Sequence, residues 1–104
     1  MKPYKWRTII AGAVYGCSMT GSDAQGDGTP NNPYKTLRRA WDATLTKPSI
    51  IICRGYFSED MADGNHACMI RGDYWGAATF DGRDMFLIYG FGHSNMIIKN
   101  CAPG

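Results

Sequence analysis

Acidic side chains in a glycine-rich loop are the first candidates for chemistry. From Asp23 to Gly28, side-chain oxygens occupy the first, third and fifth positions and glycine the sixth, as in an EF-hand calcium loop. The twelfth position, where that loop needs a bidentate Glu, is Tyr34. We therefore interpret the segment as a turn in which Gly26 and Gly28 take positive φ and the Asp side chains accept backbone hydrogen bonds. Asp23 and Asp27 remain weak candidates for metal ligation, and no cofactor is expected.

A second acidic segment, Ser58 to Asn65, offers groups for general acid–base catalysis, which needs a carboxylate or imidazole that titrates near the working pH. The groups in and beside it are Glu59, Asp60, Asp63 and His66. The segment is polar, so we predict that it is solvated. His93 lies in a predicted turn, and no Ser or Cys nucleophile with a matching carboxylate can be assigned. No catalytic residue is assigned, and the protein is predicted not to be an enzyme.

Aromatic residues give the positive indication of binding. A flat amphipathic ring can stack on a sugar face while its OH or N–H bonds a hydroxyl. The candidates for glycan binding are Tyr56, Tyr74, Trp75 and Tyr89. The alternative for these residues is a place in the core or at an interface, and we assign Trp6 and Trp41 to the core. The tripeptide Arg71-Gly72-Asp73 is interpreted as a corner after a strand and not as an integrin ligand.

One helix must position the loops around it. Apolar residues recur at i, i+3, i+4 and i+8, which predicts an amphipathic helix over about 33–46; they are Leu37, Ala40, Trp41 and Leu45. Asn32 is the predicted N-cap, with Pro33 at the first helical position.

Short apolar segments separated by glycines predict strands in the rest of the chain. After the helix these are 49–53, 67–71, 77–81, 85–90 and 95–101. Two pairs of runs, those near Ile50 and Cys68 and those near Thr79 and Ile97, start about 18 residues apart, as expected for a solenoid of parallel strands. A small sandwich or an irregular barrel remains the alternative.

Composition indicates one globular domain, because 44% of the 104 residues are hydrophobic and 19% are charged. We divide it into N-terminal strands (1–20), loop and capping helix (21–48) and further strands (49–104). A net charge of +2 with scattered Lys and Arg argues against nucleic acid as a partner. No apolar run approaches the roughly 20 residues of a membrane span.

The first seventeen residues have two interpretations. Lys2, Lys5 and Arg7, a short apolar run and a loose lipobox ending at Cys17 resemble a bacterial lipoprotein signal. We prefer two strands, 6–11 and 13–18, because both segments are rich in β-branched and aromatic residues.

The four cysteines are Cys17, Cys53, Cys68 and Cys101, and no CxxC motif indicates zinc. Because three of them adjoin apolar runs, we predict buried reduced thiols. One or two disulfides remain the alternative if the protein works outside a cell.

Residue order adds a resemblance. One series is Val14-Tyr15, Thr20-Gly21-Ser22-Asp23, Gly26-Asp27-Gly28-Thr29, Asn32-Pro33-Tyr34-Lys35-Thr36-Leu37 and Ile50-Ile51-Ile52-Cys53. It resembles the amino-terminal cap of right-handed parallel β-helix proteins of the pectate-lyase-like superfamily, which includes phage tailspikes and bacterial surface proteins. Met69-Ile70-Arg71-Gly72-Asp73, Thr79-Phe80-Asp81-Gly82 and Asn95-Met96-Ile97-Ile98-Lys99-Asn100-Cys101 are similar to its first rungs. The resemblance implies a mainly β fold, a short right-handed parallel β-helix with one N-terminal capping helix.

These expectations combine into a function. A solenoid of two or three rungs presents an unpaired strand edge that something must cover. We predict a non-catalytic structural or adhesive module of a virion or cell surface, docked as a homotrimer or into another assembly. The predicted interface residues are Ile97, Ile98 and Cys101. The alternatives are a glycan-binding or polysaccharide-degrading protein and a lipid-anchored bacterial surface protein.

Overall fold

The computed structural model describes residues 5–46, 49–62, 68–89 and 91–102. These residues form one helix and eight strands. In chain order they are β1 (Val14–Cys17), α1 (Leu37–Ala43), β2 (Ile51–Phe57), β3 (Met61–Ala62), β4 (Met69–Gly72), β5 (Ala78–Asp81), β6 (Ile88–Tyr89), β7 (Gly92–Ser94) and β8 (Met96–Lys99). All pairings between these strands are parallel.

Strand β2 is the centre of the main sheet. The sheet has six strands in the order β7-β4-β2-β5-β8, and β1 also pairs with β2. Residues 51–53 of β2 lie between β1 and β4, whereas residues 55–57 pair with β5. The change of partner occurs at Gly55, whose φ of 109° is inaccessible to most side-chain-bearing residues. A Cβ at Gly55 would also meet the Ser18 hydroxyl oxygen. Glycine therefore permits the sheet to turn at this point.

The predicted β-helix is wrong. The six strands form one nearly closed, barrel-like parallel sheet and not a solenoid. The mainly β character and the single helix are as expected. Regular spacing of apolar runs indicates parallel strands, but it does not determine how those strands close on one another. Because β2 pairs with three neighbours and changes partner at Gly55, those neighbours join one sheet.

Helix α1 is shorter than the predicted 33–46 and begins later. Its N-cap is Thr36, whose hydroxyl accepts a hydrogen bond from the Arg39 N–H at 3.1 Å. The Asn32 side chain instead donates to the Gln25 carbonyl, so the prediction of Asn32 as N-cap is wrong. Pro33 precedes the helix and is buried.

Other boundaries also differ from the prediction. Residues 6–11 form no strand, whereas the prediction for 13–18 is met by β1. The predicted strand over 85–90 is reduced to β6, and Gly90 lies outside the described residues. His93, predicted in a turn, belongs to β7 and is exposed.

The core consists of two clusters. The larger one fills the space between α1 and the sheet and includes Leu37, Trp41 and Phe80. The smaller one joins the N-terminal segment to β1 and β2 through Trp6, Tyr15, Cys17 and Ile52. Trp6 and Trp41 are both buried, which confirms their assignment to the core. In the part of the chain that the structure describes, no helix has the length and apolar character needed to cross a bilayer.

Candidate functional site

A buried ion pair organises one side of the molecule. Asp73, which directly follows β4, is 2% exposed, and Arg54 of β2 donates from Nε to its carboxylate at 2.7 Å. The same carboxylate accepts the backbone N–H groups of Arg7 at 3.0 Å and Thr8 at 2.6 Å. A buried carboxylate with several charge-assisted hydrogen bonds is a strong structural tie. The interpretation of residues 71–73 as a structural corner is confirmed by this burial.

Above this ion pair lies a cleft that we call the basic cleft, lined by Lys5, Trp6, Arg7, Arg54 and Tyr74. The Arg7 guanidinium lies 4.4 Å from the centroid of the Tyr74 ring, and that of Arg54 lies 5.2 Å from it. Arg54 also lies 5.4 Å from the Trp6 ring and donates from Nη2 to the Lys5 carbonyl at 2.8 Å. Cations and aromatic rings therefore alternate across the cleft.

The predicted glycan-binding aromatics are only partly brought together. Tyr74 lines the basic cleft and is 38% exposed, and the adjacent Trp75 is 72% exposed. Tyr56 belongs to a different cluster, where its hydroxyl donates to Asp81 Oδ2 at 2.6 Å. This hydrogen bond raises the pKa of Tyr56 and lowers that of Asp81. The Tyr89 side chain lies outside the described part of the structure.

The loop around Asp23 and Asp27 is the predicted turn. Asp23 accepts the backbone N–H groups of Lys35 and Thr36, and Asp27 accepts the backbone N–H and hydroxyl of Thr29. The bonds from Thr29 hold the pKa of Asp27 below its usual value.

The glycines of this turn differ from each other. Gly28 has the expected positive φ, whereas Gly26 does not. Gly26 is instead enclosed, because a Cβ there would meet the carbonyl oxygens of Ser22 and Pro33. Among the described residues no group of three acidic, His or Cys side chains could hold a metal ion.

Glu59 makes a helix-capping contact that the sequence interpretation missed. Its carboxylate accepts the Leu37 N–H at 3.0 Å and the Arg38 N–H at 2.8 Å, so it covers the start of α1. Burial raises the pKa of Glu59, although both N–H groups favour the ionised form. The prediction of a solvated side chain is wrong for Glu59. The first turn of α1 contains no acidic residue to accept its free backbone N–H groups. That lack predicts an acceptor from another part of the chain and could have indicated this contact. Asp63 and His66 lie outside the described residues.

The cysteines are all free thiols, but their environments differ. Cys17 and Cys53 are buried, Cys68 is partly buried and Cys101 is exposed. Burial raises the pKa of the Cys53 thiol far above its usual range. The prediction of buried reduced thiols is therefore confirmed for the first two and wrong for Cys101.

The predicted interface residues lie in β8 and directly after it. Strands β7 and β8 are the two terminal strands of the sheet order and follow one another in the chain. We call residues 92–101, which contain β7 and β8, the open edge, because β7 pairs only with β4 and β8 only with β5 among the described strands. Ile97 is 42% exposed, Cys101 is exposed, and Ile98 packs partly against the core.

The sheet edge at β1 is covered by the chain itself. Tyr15 donates its N–H to the Gly28 carbonyl at 2.8 Å and accepts from the Tyr34 N–H at 3.0 Å, while Cys17 donates to the Tyr34 carbonyl. Among the described residues, β1 therefore differs from the terminal strands β7 and β8, because the loop residues Gly28 and Tyr34 bond to its backbone.

No family model, curated protein or solved structure matches this chain. The resemblance to the pectate-lyase-like superfamily therefore stays a prediction.

Proposed function

We propose that this protein is a non-catalytic structural or adhesive module that docks to a second copy of itself through the open edge. The observation that carries the proposal is the difference between β1 and β8, since loop residues cover β1 while β8 pairs with β5 alone among the described strands. The outer backbone groups of an edge strand are a template for another extended chain. A virion or a cell surface as the place of such an assembly comes from the sequence resemblance alone, and the barrel-like sheet gives it no support.

The side chains of the open edge suit contact with another copy. Along β8, Met96 points into the core while Ile97 is exposed, so the strand presents apolar surface outward as well as inward. At the other end, exposed Met69 of β4 lies against Gly92 of β7. Covering such apolar surface contributes roughly 25 cal/mol per Å² removed from water.

Sedimentation velocity over a range of protein concentrations tests this function. We expect the wild-type protein to associate, and the mass of the associated species distinguishes a dimer from the predicted trimer. Ile97→Lys should shift the population to monomer. Ile9→Lys is the matched control, because Ile9 is an exposed isoleucine away from the open edge. A wild-type protein that stays monomeric at high concentration, or equal effects of the two variants, would count against docking through this edge.

Glycan binding is the second candidate, and the exposure of Trp75 beside Tyr74 favours it. An exposed indole is a common platform for the apolar face of a sugar. A glycan array probed with the wild-type protein and with Trp75→Ala tests this candidate. Signals that the substitution abolishes would support it, and signals that the substitution leaves unchanged would contradict it.

The lipid-anchored alternative stays a prediction. The Cys17 thiol, which would carry the lipid, is fully buried in β1 in this fold. Intact mass measured on protein from its native source would reveal acylation.

A further inference from the structure

We propose that the basic cleft binds an oxyanion, a carboxylate, sulfate or phosphate group, borne on a small ring that packs beside Tyr74. The cleft is built from the N-terminal segment and the residues around β2 and β4. The cleft contains no residue of the open edge, so the test of anion binding is independent of the test of self-association.

The Arg54 side chain and the backbone around Arg7 are held in place before any ligand arrives. Arg54 is fixed at two points, by Asp73 through Nε and by the Lys5 carbonyl through Nη2. Asp73 also binds the backbone of Arg7 and Thr8, so it fastens the segment that carries the other cations to the sheet. A site whose groups are already ordered loses less conformational entropy on binding.

The charge balance of the cleft favours an anion. The negative charge of Asp73 is buried and paired with Arg54, and within the described part of the chain neither Lys5 nor Arg7 forms a salt bridge. Lys5 and Arg7 are both exposed. A guanidinium offers a planar fork of donors that matches the geometry of carboxylate, sulfate and phosphate.

The ring requirement follows from Tyr74. Its side chain is partly exposed within the cleft, and its ring is already flanked by the Arg7 guanidinium at 4.4 Å. A ligand whose oxyanion reaches Arg7 therefore brings its attached ring against the tyrosine. A nucleic-acid strand fits less well, because tracking a phosphate backbone requires cations along an extended groove, and this cleft supplies three cations at one place.

Binding of glucuronate, glucose and inorganic sulfate, followed by NMR chemical shifts of the Arg7 and Tyr74 amides, tests the proposal. Two exposed charge contacts predict that glucuronate binds about tenfold more tightly than glucose at low ionic strength. Equal affinities for these two sugars would overturn the oxyanion site. Sulfate that binds as tightly as glucuronate would overturn the contact with the ring, and an oligothymidylate that binds more tightly than both would assign the cleft to nucleic acid.

Two substitutions locate the site. Arg7→Gln removes one of the two charges but keeps the backbone N–H that Asp73 accepts, so the variant is expected to fold and to bind glucuronate about threefold more weakly. Lys35→Gln is the matched control, because Lys35 is an exposed cation outside the cleft. Equal affinities of the two variants, with unchanged melting temperatures, would overturn the assignment.

Discussion

Replacing Asp73 with Asn should destabilise the protein more than any other single change of charge among the described residues. The substitution keeps the shape of the side chain but removes the charge that pairs with Arg54 and turns one acceptor oxygen into a donor. That donor then faces either the Arg54 guanidinium or the backbone N–H groups of Arg7 and Thr8, which also donate. Arg54, whose side chain is only 12% exposed, loses the carboxylate that forms its ion pair.

The magnitude follows from the burial of the pair. Removing one partner of a buried ion pair typically costs about 3–5 kcal/mol, and a domain of this size has a total stability of roughly 5–15 kcal/mol. With a urea dependence of about 2 kcal/mol per molar, the unfolding midpoint should fall by roughly 2 M. Urea unfolding followed by tryptophan fluorescence measures this change, and Trp6 lies 5.4 Å from the Arg54 guanidinium.

Asp84→Asn is the matched control for this experiment. Asp84 is exposed and has a φ of 60°, a conformation in which Asn is as acceptable as Asp. Its midpoint should stay close to that of the wild-type protein. If Asp73→Asn shifts the midpoint no more than Asp84→Asn does, the ion pair does not hold the N-terminal segment to the sheet.

Three further predictions concern the sheet, the helix and the thiols. Gly55→Ala should reduce the free energy of unfolding by more than Gly76→Ala, because both glycines have positive φ but only Gly55 lacks space for a Cβ; chemical denaturation measures both. Burial raises the pKa of Glu59 above 4.5, so protonated Glu59 contributes stability that is fully present below pH 4.5. This contribution is lost as the pH rises through the raised pKa, and Glu59→Gln should weaken the pH dependence of stability. In the native protein, Ellman's reagent should label Cys101 quickly and Cys17 only after unfolding.

Each of these has a result that would contradict it. Equal losses of stability for the two glycine variants would show that the sheet does not need close contact at Gly55. If stability depends on pH in the same way for Glu59→Gln and the wild-type protein, burial is not the dominant influence on the pKa of Glu59. Rapid labelling of all thiols in the native protein would mean that β1 and β2 open readily.

Local patterns predicted the parts of this fold that depend on nearby residues. Leu37, Ala40 and Trp41 of the predicted apolar stripe are buried, whereas Leu45 lies beyond α1 and is half exposed. The Asp23 loop is a turn that binds the backbone ahead of α1. Contacts between distant residues decided the rest. The segment 6–11 is not a strand because its backbone is bound by Asp73 and by the Tyr15 hydroxyl. Strand β2 changes partner at Gly55, which has positive φ, and no periodicity encodes this change.

The candidate sites also combine residues that local patterns identify with residues from distant parts of the chain. Exposed Tyr74 and Trp75 could be identified as aromatics near a strand end, but their neighbours Lys5 and Arg7 lie far away in the sequence. The role of Glu59 likewise depends on a helix more than twenty residues earlier in the chain. Only the fold places these side chains together.

The loop that covers β1 limits how large an assembly can become. Stacking copies head to tail would require each molecule to offer an accessible strand at both sides, and the bonds among Tyr15, Gly28 and Tyr34 occupy one of them. Two molecules that meet along 92–101 cover β7 and β8, the two terminal strands of the six-stranded order. A symmetric pairing uses the same surface of both copies, so it closes as a dimer and leaves neither copy free to extend the assembly through this edge.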